Sequence, residues 1–568
     1  MITQISAMSR FHSLSGMLVL LAFLTAALSG CKSEKETAAT SKPIGQGQVT
    51  RSPNILFIVM DDMNDYTGYL GGHPQAETPN IDALAASGMA FTQAYCNAPL
   101  CAPSRTSFMT GKLPNFTGIL NNPQYYDRIS KPKRFRNVFG GSNDVYTLPQ
   151  WLKDEGDYYT VGIGKILHGW TTAGYDADFD RSGSKCKRGL SWNDFIDFPV
   201  KEEPVPSDPG YEDGLLVPGG RIPDSREKDM VDTKGVNVAL DILANYSRNP
   251  SQFCDRPLFM AVGLWKPHGP LYVPERYYPE GYDPNPYNKP DMALREMPAS
   301  GRADGIVMAP RPADGQSDFK KLPQLGKLMV KRQKDRGFDR WAQKQGRVPS
   351  GYAQQDGLKA LADWKRAQQT AAYLAAIKYA DAQVGRLLQS LEENAMAENT
   401  IVVLVSDHGF SLGERLHWAK RALWDTDIRI PYIIRDPRRS SGTCSRPVSL
   451  VDLFPTISEL AGVDRPTDYL DGRSIVPLLD NPGQSWNEPV LTGIQMTEDA
   501  KDGGRYPAWS VRDESYHYIQ YRSNSGQIQE ELYQVGEMRS KDPEEWNNLA
   551  KNGTFDSEKN RLKGHIPN

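Results

Sequence analysis

The chain has 568 residues, 39% of them hydrophobic and 24% charged, with a formal net charge of −3 at pH 7. That is ordinary globular composition, long enough for two or more domains and a large core. The near balance of charge gives no electrostatic basis for a nucleic-acid partner, so partners have to be argued from sites.

Residues 1–30 have the pattern of a lipoprotein signal peptide. Arg10 precedes an uncharged apolar run, Met17 to Leu28, too short to span a bilayer. It ends in Leu28-Ser29-Gly30-Cys31, which resembles the bacterial lipobox, whose cysteine is lipidated and becomes the mature N-terminus. Residues 31–52 are polar and read as a flexible tether. The expectation is an exported bacterial lipoprotein anchored to a membrane through Cys31, with Lys32 favouring the outer membrane. Export permits disulfides. Besides Cys31 and Cys101 there are Cys96, Cys186, Cys254 and Cys444, whose three possible pairings the sequence does not rank.

Asn54 to Met60 is a continuous apolar run followed by Asp61-Asp62, the pattern of a strand covered on both faces. A helix is predicted over 79–87, with Thr78 as N-cap, Pro79 in the first turn and Gly88 as the stop. In the stretch Cys101 to Gly111, Pro103 suits a first helical turn and Gly111 a left-handed stop. Cys101 then sits at a helix N-terminus, where free N–H groups and the dipole favour an anion. Arg105, one turn in, can fork onto an oxyanion. Residues 300–360 lack apolar periodicity and read as a long insertion, a candidate substrate-facing loop. A long helix follows over 363–393, with Leu374, Ile377, Ala380, Val384, Leu387, Leu388 and Leu391 as its apolar stripe. Thr400 to Ser406 is another buried strand, ending in Asp407-His408. Alternating strands and helices predict an α/β sandwich with a large, mostly parallel sheet. Residues 53–449 are thus expected to form the larger, N-terminal domain, the one that carries the candidate site. Residues 450–568, with short alternating segments at 506–511 and 516–521, form a smaller C-terminal domain with an antiparallel sheet.

Ligands of open α/β sheets collect beyond the carboxyl ends of the strands. Asp61, Asp62, Asp407 and His408 fall there, and three carboxylates in one place need a cation. Oxygen donors favour Ca²⁺ or Mg²⁺ over zinc. Between these pairs lies Cys101-Ala-Pro103-Ser104-Arg105, followed by Thr110-Gly111, which resembles the hallmark of the type I sulfatase family. The resemblance runs from Asn54 to the Glu531-Leu-Tyr-Gln segment and implies an alkaline-phosphatase-like sandwich. It also implies that a maturase oxidises Cys101 to formylglycine (3-oxoalanine), and that Asp61, Asp62, Asp407 and His408, with position 101, hold Ca²⁺.

By the same resemblance, Gly164-Lys165-Ile-Leu-His168 supplies a lysine that contacts formylglycine and a histidine base. Lys266-Pro-His268-Gly-Pro270 supplies the histidine facing the leaving oxygen, and His417-Trp-Ala-Lys420 the lysine that grips sulfate. The Lys-x-x-His spacing and the Trp-Ala-Lys tripeptide look most like the iduronate-2-sulfatase branch. His417 receives no role; Arg415 and Arg421, flanking Lys420, read as a solvated face or as anchors for an anionic sugar. The implied reaction begins with attack of hydrated formylglycine on sulfur. Ca²⁺, Arg105, Lys165 and Lys420 neutralise the sulfuryl oxygens, His268 protonates the leaving group and His168 drives sulfate release. The expected substrate is a sulfated carbohydrate, although substrate does not transfer with fold. The competing readings are a phosphodiesterase or phosphonate hydrolase of the same superfamily, and a catalytically silent glycan-binding lipoprotein.

Overall fold

A computed structural model describes residues 52–129, 145–168, 186, 191–198, 203–206, 217–279, 306–310, 317–330, 332–344, 353–464, 466, 469–496 and 507–567. The signal peptide, Cys31 and nearly all of the expected tether lie outside the described residues. Among those described, no helix is long and apolar enough to cross a membrane.

The main sheet has eight strands: β1 (Asn54–Asp61), β2 (Met89–Phe91), β3 (Tyr159–Gly164), β4 (Asp194–Ile196), β5 (Leu258–Pro267), β6 (Thr400–Ser406), β7 (Tyr432–Arg435) and β8 (Gly442–Cys444). They lie in the order β8-β2-β7-β6-β1-β5-β3-β4. Only β7 runs against its neighbours, so the sheet is mostly parallel, as expected. Every residue of β1 is buried. Its Leu56, Ile58 and Met60 join the core on one face of the sheet, while Ile55, Phe57 and Val59 join the core on the other. That is the alternation of a strand with two apolar faces to satisfy, each large side chain contributing roughly 1.5–3 kcal/mol.

On the first face lie helices α1 (Pro79–Ser87), α3 (Val231–Arg248) and α4 (Gln354–Glu393). On the second lie α2 (Cys101–Thr110) and α5 (Leu453–Leu460). Thr78 precedes α1 but does not cap it. Asp381 of α4 does, accepting from the N–H groups of Asn80 (3.1 Å) and Ile81 (2.8 Å). Gly88 ends α1 without a left-handed turn (φ −124°). Its lack of a side chain is needed because a Cβ would lie 2.8 Å from the Ile434 carbonyl.

The predicted stripe of α4 is buried apart from Leu388, which packs at its margin. The helix begins at Gln354, nine residues earlier than its polar start suggested, and its first turns accompany the helix Arg332–Lys344. Phe338, Trp341 and Ala342 of that segment are buried against the main core. Leu322, Leu325 and Met329 pack with residues of the C-terminal sheet. The described parts of 300–360 are therefore largely helical and structural. Phe338, Trp341 and Ala342 stand at helical spacing, but three apolar positions in so charged a segment are too few to mark a helix over its length.

The C-terminal sheet is antiparallel, formed by β9 (Val490–Gln495), β10 (Pro507–Arg512), β11 (Tyr516–Arg522) and β12 (Ile528–Gln534) in that order. Cys186 and Cys254 form a disulfide, while Cys96 and Cys444 are buried free thiols.

Candidate functional site

Helix α2 is buried throughout. Gly111 ends it in the left-handed region (φ 66°), where a Cβ would also meet Leu470 at 2.4 Å. Cys101 is the first residue of the helix, and Asn122 already accepts from the next N–H, that of Ala102, at 3.3 Å. The helix terminus is thus partly satisfied by protein. Ser104 Oγ donates to the Asp407 carbonyl at 2.5 Å, which ties the helix to the end of β6.

Parallel pairing in register, Met60 opposite Ser406, places the carboxyl ends of β1 and β6 side by side. Beyond β1 the backbone reverses at Asp62, a non-glycine residue in the left-handed region (φ 65°). Its N–H donates to Asp407 Oδ1 (3.1 Å), and its carbonyl accepts from Tyr373 OH of α4 (2.6 Å). This reversal turns Asp62 toward the same point as Asp61 and Asp407.

All the expected residues meet there. Cys101 Sγ lies 3.5 Å from Asp61 Oδ1, 3.3 Å from His408 Nε2 and 3.1 Å from Lys420 Nζ. Lys165 pairs with Asp61, and Lys420 Nζ with Asp62 Oδ1 at 2.5 Å. His168 is bonded to the Cys101 thiol. His268 Nε2 is 3.9 Å from Asp62 Oδ2, and its Nδ1 lies 2.7 Å from the Gly269 carbonyl. Arg105 departs from the expectation of an open oxyanion fork. Its buried guanidinium donates to Asp407 Oδ2 (2.8 Å) and to the carbonyls of Lys165 (2.5 Å) and Ile166 (3.2 Å), with Asp61 at 3.6 Å.

These neighbours shift the protons of Cys101, Asp61, Asp407, His408 and His168. Burial pushes the Cys101 thiol up, but Lys420, Lys165 and His408 outweigh it and hold it well below its usual range. Burial and Cys101 push Asp61 up, yet Lys165, His268 and Arg105 keep it below the usual carboxylate range. Asp407 is pushed up to about 6, chiefly by burial. For His408, burial opposes the cation, but Asp407 and Cys101 prevail and raise it to about 9. Burial lowers His168, favouring its neutral form.

One ligand atom each from Asp61, Cys101, Asp407 and His408 lie within 4.8 Å of one another, as do those of Asp61, Asp62, Cys101 and His268. Ligands about 2.3–2.6 Å from a calcium ion are separated by up to about 5 Å, so the donor set fits one hard cation. A second cluster, Asp425, His517 and Glu545, has similar spacing. There, Arg539 and Arg512 stand 3.2 and 3.8 Å from Asp425 and already neutralise it.

Arg415 and His417, beside Lys420, are buried, while Arg421 is half-buried. Arg415 is no solvated or sugar-binding cation: it is buried, 4.9 Å from the Trp424 ring and 5.0 Å from that of Tyr533. His417 is structural, its Nε2 bonded to Asp427 Oδ2 at 3.1 Å. Asp427 itself, and Asp232 behind His268, carry no sequence motif, so nothing in the sequence singles them out.

Comparison with known proteins identifies the family. Residues 53–463 match the sulfatase family, and residues 413–568 match the family described as N-sulphoglucosamine sulphohydrolase, C-terminal. A sulfatase of Formosa agariphila is 31% identical over 527 residues, covering 91% of this chain and 86% of that protein. Iduronate 2-sulfatase of Mus musculus is 27% identical, covering 73% of this chain and 70% of its own length. A phosphonate monoester hydrolase from Silicibacter pomeroyi shares the fold, with TM-score 0.62 at 19% identity over 90% of this chain and 94% of that one. The chain belongs to the sulfatase family and is a sulfuric ester hydrolase.

Proposed function

We propose that the enzyme hydrolyses sulfate esters of a carbohydrate, using formylglycine made from Cys101 by a maturase and one Ca²⁺ held by Asp61, Asp62, Asp407 and His408 together with position 101. The observation that carries this reading is the position of Cys101 Sγ, in reach of Asp61, His408 and Lys420 at once. A carbohydrate is favoured by the iduronate 2-sulfatase relative and by the C-terminal family match. Exported, Cys31-anchored placement at the outer membrane belongs to the same proposal.

Hydrated formylglycine supplies the nucleophilic oxygen, and the cation supplies positive charge that favours its deprotonation. The chain's own residues do the rest. Lys165 and Lys420, held by Asp61 and Asp62 on either side of position 101, neutralise charge developing on the sulfuryl oxygens. Arg105 acts one step back, orienting Asp407 and Asp61. His268 Nδ1–H donates to the Gly269 carbonyl, so Nε2 is the atom that gives its proton to the leaving sugar oxygen. His168, buried and biased toward its neutral form, takes the proton from position 101 that allows sulfate to leave. The bonds balance: the ester S–O bond breaks as an oxygen of residue 101 bonds to sulfur, that oxygen departs with sulfate as its bond to the carbon of residue 101 breaks, and one water replaces it.

Peptide mass spectrometry of active enzyme from a maturase-competent host should find an aldehyde or its hydrate at position 101, and Cys101→Ala should be inactive. Active protein carrying only the thiol would overturn the reading. Parallel assay of aryl sulfates and aryl phosphonates tests the ester class, and a preference for phosphonate would refute a sulfatase assignment of this site's main activity.

A further inference from the structure

Strand β5 carries two residues more than its partner near its end. Val59 pairs with Gly263 and Asp61 with Pro267, so two steps along β1 match four along β5. Such a bulge interrupts the ladder, and the extra residues' N–H groups need other partners. Both find the same carboxylate. Asp232, buried in the first turn of α3, accepts from Trp265 N–H through Oδ1 (2.7 Å) and from Lys266 N–H through Oδ2 (2.9 Å). Pro267 has no N–H to place, and His268 N–H turns back to the Trp265 carbonyl at 2.8 Å.

Two side chains that reach the site leave from this clamped end. His268 points its Nε2 toward Asp62, and the Trp265 ring lies 4.3 Å from Lys165 Nζ. Lys266 is turned away from the site, bonded to the Pro270 carbonyl (2.6 Å) and 3.5 Å from Glu203. The bulge therefore aims His268, and the carboxylate at 232 fixes the bulge.

We infer that Asp232 is a positioning residue for the proton-donating His268, acting by accepting both N–H groups of the bulge that ends β5. This rests on the role given to His268 above. Only a carboxylate offers two acceptor oxygens in that place. Asparagine would turn an amide N–H₂ toward one of the two N–H donors, leaving that donor unpaired and the strand end free to shift.

The test uses mature enzyme and a series of substituted phenyl sulfates spanning phenyl to 4-nitrophenyl, because loss of proton donation is felt in proportion to how poor the leaving group is. Asp232→Asn should lower kcat/KM for phenyl sulfate on the order of 10- to 100-fold. It should cost 4-nitrophenyl sulfate only about threefold or less. The leaving-group slope would thus steepen toward that of His268→Ala, with the loss in kcat rather than KM. If Asp232→Asn does not accumulate as soluble protein, Asp232→Ser, whose single hydroxyl oxygen cannot accept from both N–H groups as the carboxylate does, carries the test: a steepened slope supports the inference and an unchanged one overturns it. Equal losses across the series in Asp232→Asn, beside a steepened slope in His268→Ala, would overturn the role of Asp232 alone. An unchanged slope in His268→Ala would overturn the assignment of the acid itself, and the inference with it.

Discussion

The segment that carries Lys420 should not hold its shape without Asp427. Arg415, Leu416, Ala419 and Arg421 all have left-handed backbone, with φ of 51°, 60°, 75° and 92°. At about 1–2 kcal/mol for each such residue, the segment stores roughly 4–8 kcal/mol that its surroundings must offset. Asp427, fully buried, is the main anchor. Its Oδ2 accepts from His417 Nε2 (3.1 Å) and Ala422 N–H (2.6 Å), and its Oδ1 from Ser411 Oγ. Asp427→Ala would take the acceptor from Ala422 N–H and His417 Nε2, at about 1–3 kcal/mol each, while Ser411 keeps Thr426 Oγ1 as a partner; that loss is comparable with the lower end of the strain. The segment should relax and draw Lys420 away from Asp62 and position 101. We expect kcat to fall on the order of 10²–10³-fold, the usual cost of losing one preorganised charge-stabilising group. Asp427→Asn should stay within about tenfold of wild type. Its amide oxygen can serve His417 and Ala422, while the Ser411 hydroxyl accepts from the amide and turns toward Thr426 Oγ1 at 2.9 Å. The assay is a double-mutant cycle with Lys420→Ala, read as kcat and KM, with urea midpoints alongside. If Asp427 works through Lys420, its loss should nearly vanish when Lys420 is already gone. Losses that multiply independently would refute the reasoning.

Chelation should abolish activity, with Ca²⁺ restoring it and raising the thermal midpoint of the stripped protein, since a cation relieves the repulsion among Asp61, Asp62 and Asp407; a stoichiometric zinc pair in elemental analysis would contradict the single hard-cation site. The Cys186–Cys254 bridge closes a loop with a sequence separation of 68. Its removal by Cys254→Ser should lower stability by about 2–4 kcal/mol, seen as a lower urea midpoint, and an unchanged midpoint would show that the bond constrains little.

Which parts of this molecule are legible in its sequence follows from where their physics resides. β1 and β6 are legible because a strand covered on both faces must be apolar at every position, and an unbroken apolar run of that length fits little else. The stripe of α4 is legible for the analogous reason at helical spacing. Most of the site is legible because its groups travel in short local motifs around Cys101, Lys165, His268 and Lys420. What those motifs do not contain is the identity of distant partners. Arg105 stands where the sequence placed it, yet its guanidinium is spent on Asp407, 302 residues away. The cap of α1 comes from Asp381 rather than from the adjacent Thr78, because two N–H groups at a helix end take the best-placed oxygen, not the nearest in sequence. Asp232 and Asp427 are the clearest cases. Each is an aspartate outside any recognised motif, of a residue type that is usually solvated. Each acquires a task only because the fold leaves donors unpaired beside it: two at the bulge of β5, two around the strained segment before Ala422. Those donors do not exist as a problem until the strands are paired and the loop is bent. A carboxylate that answers them is therefore defined by tertiary structure, even when the catalytic groups it serves are spelled out in the chain.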